Sequence, residues 1–226
     1  KLGVWGFQSG VRLEQVFTSA TVTGASPFQN NYFSIYPSLN LSRQRSEEVS
    51  WIASYSRRVN RPRGRQVSPC IDDSNNRNIR TGNPELRPEY THSMEFGHQW
   101  SKGRQSITTS LFVKYTEDVI RRFSTVDAEG IATSSYLNLD SRRDEGLEVI
   151  AMKPLGRGGS VRLTGSVYHL ANNVGEVENA SDNEGWSYSA NLFANKSFGS
   201  DGKWKWQVNG MHRGPSVTAQ GQFNGF

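Results

Sequence analysis

Apolar and polar side chains alternate with a period of two in about nine separate stretches of this sequence. Val49, Trp51, Ala53 and Tyr55 oppose Ser50, Ser54 and Ser56. Ile107, Leu111, Val113 and Tyr115 oppose Ser106, Thr108, Ser110 and Lys114. Trp204, Trp206 and Val208 oppose Lys205, Gln207 and Asn209. Successive side chains of a strand point to opposite faces, so each stretch reads as a strand with one apolar and one polar side. Helix periodicity is nearly absent, and the predicted fold class is all-β.

The connections have their own rhythm. Long links at 18–31, 59–89, 122–133 and 173–184 alternate with short ones at 43–47, 101–104, 154–159 and 199–203. An antiparallel up-and-down transmembrane β-barrel produces this alternation, with short turns at one end and long loops at the other. Aromatic residues cluster at both strand ends. Trp51, Trp100, Phe198 and Trp204 lie beside short turns, and Tyr32, Phe33, Tyr36, Tyr136, Trp186 and Tyr188 lie beside long links. Such belts match the girdles at two membrane–water interfaces. A soluble β-sandwich with an aromatic core fits the strand pattern equally well, so the pattern leaves both architectures open.

Composition narrows this only a little. Hydrophobic residues make up 35% of the 226-residue chain, and no run supplies the roughly 20 apolar residues of a membrane helix. A barrel strand is apolar on one face only, so a polar composition is compatible with it. The net charge of +5 permits contact with nucleic acid, headgroups or anionic ligands and requires none of them. The single cysteine, Cys70, has no internal disulfide partner and is expected to be a partly buried thiol. The chain opens on Lys1-Leu2-Gly3-Val4-Trp5, already strand-like, with no signal peptide; an exported protein would therefore be represented by a fragment.

One stretch reads differently. Ile79 to Tyr90 holds Pro84 and Pro88, a glycine at 82 and an Asn83-Pro84 step, so it is neither helix nor central strand. Asn83 and Arg87 precede prolines and are pushed towards extended geometry. Gly82–Glu89 is expected to be a stiff device that feeds the chain from a long loop into a sheet.

Gly82-Asn83-Pro84-Glu85-Leu86-Arg87-Pro88-Glu89 is similar to the Gly-Asn-Pro-x-Leu-Lys-Pro-Glu signature of TonB-dependent outer-membrane receptors. The run from Tyr55 through Ser56, Arg57, Arg58, Val59, Asn60 and Arg61 to Pro62 resembles a motif of one branch, the outer-membrane β-barrel proteins of Bacteroidetes-like bacteria. Arg213 to Gly221 resembles a later motif of that branch. The resemblance implies a partial set of strands from a barrel of about 22. Residues 1–226 would be one partial barrel domain without plug, TonB box, signal peptide and closing strands, and 59–89 a long extracellular loop. The implied activity is active uptake of large scarce solutes such as metal chelates, cobalamin or glycans. The implied partners are outer-membrane lipid, periplasmic TonB through the plug region and, as a further candidate, a surface lipoprotein. A soluble carbohydrate-binding sandwich and a passive porin are the alternatives.

Candidate chemistry is sparse. Gly82, Asn83, Pro84, Leu86, Pro88 and Glu89 are read as structural. Arg61, Arg63 and Arg65 lie in the densest run of arginines and could contact an anionic ligand or lipopolysaccharide, because guanidinium forks match phosphate and carboxylate. The competing reading is a solvated loop paired with Asp72, Asp73, Glu85 and Glu89. No aromatics interleave between Arg57 and Arg87, which argues against nucleic acid. His92, His98, His169 and His212 lack metal-ligand spacing, and Gly156 to Gly159 reads as a turn. No catalytic residue and no cofactor is expected.

Overall fold

The computed structural model describes residues 4–20, 28–175, 182–199, 203–218 and 221–223. The long strands are β1 (Trp5–Ala20), β2 (Phe28–Gln44), β3 (Val49–Asn60), β5 (Glu89–Lys102), β6 (Gln105–Val126), β7 (Ala132–Pro154), β8 (Gly159–Asn173), β9 (Asn183–Phe198) and β10 (Trp204–Arg213). They form one antiparallel meander, in which each long strand pairs with the next long strand in the chain. A four-residue helix α1 (Gly64–Val67) and a short strand β4 (Asn78–Arg80) lie between β3 and β5. β4 pairs parallel with β7 and brings the sheet to ten strands. β11 (Ser216–Thr218) and β12 (Gly221–Phe223) form a separate hairpin.

Register sorts the side chains. Phe7, Leu41, Ala53, Phe96, Leu111, Leu147, Val167 and Tyr188 are successive cross-strand partners, an apolar row spanning β1 to β9. The adjacent row on the opposite face reads Ser42, Ile52, Gly97, Ser110, Glu148, Ser166 and Ser189. Hydroxyl pairs such as Ser166–Ser189, 2.9 Å apart, knit that polar face.

No second layer covers the apolar face among the described residues. Trp5 is 62% exposed, Phe7 69%, Leu111 55% and Trp204 76%. The cluster of buried apolar residues is small, Val119, Leu139 and Val174, and it sits towards the long-link end. A sandwich would bury the large outward residues against a facing sheet. A sheet that leaves them bare over its whole breadth needs an apolar solvent instead.

Three details depart from the sequence expectations. The link expected at 122–133 is only 127–131, because β6 and β7 continue as a hairpin to Val126 and from Ala132. Tyr32 and Tyr36 do not join the outward aromatic belt; they stand opposite Val16 and Arg12 on the polar face. Cys70 is exposed, because its loop runs over the surface, where the neighbouring Ile71 is exposed as well.

Candidate functional site

The segment Gly82–Glu89 is fastened to the β6–β7 hairpin at both of the hairpin's edges. Along β7, the Thr81 N–H donates to the Ser134 carbonyl at 3.0 Å and the Asn83 side-chain amide to the Tyr136 carbonyl at 3.0 Å. The Asn83 carboxamide oxygen also accepts the Glu85 N–H at 2.9 Å, which closes the turn ahead of Pro88. On the other side, the Gly82 and Asn83 N–H groups donate to the carbonyls of Ser68 and Gln66 at 2.9 and 2.6 Å. A Cβ at Gly82 would fall within 3.0 Å of both carbonyls, so the close approach requires glycine. Leu86 is 1% exposed.

The far end of the segment meets a break in the ladder. β6 and β7 pair up to Glu117–Ser141 and resume at Val119–Leu139, and Asp118 takes a positive φ of 54°. Asn138 spans the break: its amide donates to the carbonyls of Asp118 (2.6 Å) and Arg87 (3.0 Å), and its oxygen accepts the Arg87 N–H at 2.8 Å. The Arg87 guanidinium pairs with the Asp118 carboxylate at 2.7 Å. Glu89 opens β5, whose pairing with β6 stops at Tyr90–Glu117. Beyond that point its buried carboxylate stands in for the absent strand: it accepts the Ile120 N–H at 2.6 Å and the Asn60 amide, with Arg121 at 3.9 Å.

The candidate arginines separate. Arg61 donates to Glu14 and, at 3.0 Å, to the Tyr32 hydroxyl. Burial opposes its charge, but these two acceptors outweigh that, and the guanidinium pKa is raised. Arg63 and Arg65 are exposed at and within α1. The expected pairing with loop carboxylates therefore gives way, for Arg61, to a partner on β1. Asp72 instead accepts the Ser74 hydroxyl (2.7 Å) and N–H (3.3 Å), which hold its carboxyl below the usual carboxylate range, with Arg80 and Arg65 adding to the effect.

The four histidines lie on the apolar face. His92 bonds the Tyr55 hydroxyl at 2.9 Å, His98 packs on Trp51 with centroids 4.7 Å apart, His169 on Trp186 at 5.3 Å, and His212 on Tyr188 at 5.6 Å. Among the described residues no three His, Cys, Asp or Glu converge as metal ligands.

A one-layer meander with a bare apolar face, a hydroxyl- and amide-rich face, and a pinned Gly-Asn-Pro segment is the wall of an outer-membrane β-barrel. The match to known families agrees. Residues 1–226 match the outer membrane protein beta-barrel family over their whole length, and the chain belongs to that family. Its place is the outer membrane. Among solved structures it resembles the copper transporter OprC, with a TM-score of 0.68 at 14% identity over 98% of this chain and 35% of that one. It also resembles the siderophore receptor PirA from Pseudomonas aeruginosa, with a TM-score of 0.50 at 16% identity over 91% of this chain and 42% of that one. The chain thus spans less than half the length of either. No curated protein sequence matches it.

Membrane placement gives the outward aromatics a measurable role. Trp51 packs on Phe96 (centroids 5.3 Å apart) and His98 near the short-turn end. Trp51→Lys removes both ring contacts and is expected to cost about 1–2 kcal/mol. The measurement is the fraction of barrel that reaches the folded, membrane-inserted form; unchanged assembly would contradict an outward Trp51.

Proposed function

We propose that this chain is part of the barrel wall of a TonB-dependent outer-membrane receptor of the Bacteroidetes-like branch. The whole receptor actively imports a large scarce solute such as a metal chelate, cobalamin or a glycan. The observation that carries the reading is the segregation of side chains by face: apolar rows meet lipid, and polar rows line an aqueous lumen. The fold shared with OprC and PirA and the Gly82–Glu89 signature support it.

In this reading the long-link end faces outside, and 59–89 is an extracellular loop. Gly82, Asn83, Pro84, Leu86, Pro88 and Glu89 act structurally, by holding that loop on the β6–β7 hairpin. Arg63 and Arg65 stand on the loop's exposed surface, where they meet the phosphates of lipopolysaccharide or of an arriving solute. Energy arrives through a plug that contacts TonB, and a surface lipoprotein is a further partner on the outside.

Uptake by cells that carry the intact receptor tests this. Accumulation of the transported solute is expected to fall to background when TonB is deleted or the proton gradient is collapsed. A passive porin would be indifferent to both treatments.

A further inference from the structure

On the polar face of β1, two arginines converge on one carboxylate. Arg12 Nε lies 3.1 Å from one oxygen of Glu14, and Arg61 holds the other oxygen. The Arg12 guanidinium rests over the Tyr36 ring, 4.7 Å from its centroid. Arg12 stands opposite Tyr36 in the ladder and Glu14 opposite Ser34, so the group shares one face. Its charge is two cations against one anion. The cations are reachable, with side chains 62% and 41% exposed, and Glu14 sits lower at 26%.

The tyrosine beneath Arg12 is buried. Tyr36 is 5% exposed, and its hydroxyl has no hydrogen-bond partner among the described residues. Buried hydroxyls are nearly always partnered, because losing water without replacement destabilises the fold.

We propose that this cluster is a self-occupied anion site on the lumen wall. Glu14 holds the place of a solute carboxylate or phosphate. An arriving anion displaces the Glu14 carboxylate and takes the forks of Arg12 and Arg61. The inference rests on the lumen reading above and narrows the solute to one bearing carboxylate or phosphate groups. Glu14 suits this role because its two oxygens hold both guanidiniums at one point in the absence of solute.

The test measures citrate and inorganic phosphate binding to the intact barrel in detergent at low salt, by calorimetry. Glu14→Gln is expected to bind about tenfold more tightly than wild type, and Arg12→Gln and Arg61→Gln about tenfold more weakly. Barrel assembly of each variant is checked by its resistance to cold SDS; Arg12→Gln, on the most exposed member, remains decisive if Arg61→Gln fails to assemble. If Glu14→Gln and Arg12→Gln both weaken binding, the trio is a brace between strands and the proposal falls. It also falls if neither wild type nor Glu14→Gln binds either anion. TonB-dependent uptake by a barrel with no such binding would remove the site and leave the receptor reading. Anion binding without TonB dependence would do the reverse.

Discussion

Leu111→Arg is expected to destabilise the inserted barrel by about 2–4 kcal/mol, the cost of an arginine on a lipid face near the bilayer midplane. Leu111 is the middle of the outward series on β6 that runs from Ile107 to Tyr115, and it stands between Phe96 and Leu147. With apolar partners on both sides, the guanidinium would have neither an acceptor nor water within the row. The neighbouring change Ser110→Arg turns to the other face, opposite Gly97 and Glu148, where water and a carboxylate are at hand. Its cost is expected to stay within about 0.5 kcal/mol. Urea titration of both variants refolded into vesicles measures the difference. Equal costs on the two faces would contradict the assignment of lipid and lumen.

Glu89→Ala is expected to loosen the hold of loop 61–88 by about 1–3 kcal/mol. Alanine leaves the Ile120 N–H and the Asn60 amide without their shared acceptor, at a residue that is 9% exposed. The effect is local, since the ladders of β5 with β3 and β6 persist below it. Opening of the loop, read as protease cleavage within 61–88, should rise about 5- to 150-fold while the global urea midpoint moves little. Glu89→Gln keeps an oxygen for the Ile120 N–H and should recover most of the protection. Unchanged cleavage in Glu89→Ala would mean that the backbone bonds of Thr81, Gly82 and Asn83 hold the loop alone.

Much of the wall was legible in the sequence because lipid demands a strict two-residue period. Trp5, Val113 and Trp206 fall on the exposed apolar face as their parity requires. Legibility stops where the hydrocarbon stops. Above it, β6 and β7 run on through Arg121, Arg122, Ser124, Ser134 and Ser135, whose pairing needs no apolar alternation, and the sequence there reads as a loop. β4 and α1 were hidden inside 59–89 for the same reason: three residues on a foreign edge and one helical turn carry no periodic signal. The prolines and Asn83 marked the signature as stiff, but nothing in it named Asn138 or Ile120 as its anchors. The Arg12–Glu14–Arg61 cluster was equally invisible. Arg61 is 47 positions from Glu14, and only the β1–β2 register and the course of β3 bring them together.

The single parallel pairing in the sheet constrains the order of assembly. Among the described residues every long strand pairs with the next long strand in the chain, but β4 precedes β5 and β6 and takes β7 as its partner in the sheet. The stretch from β3 to β5 therefore has its dock only once β7 is in place. A chain whose β7 is misplaced leaves that arginine-rich stretch without its seat, so its cleavage by an added protease reports on whether that part of the wall has closed.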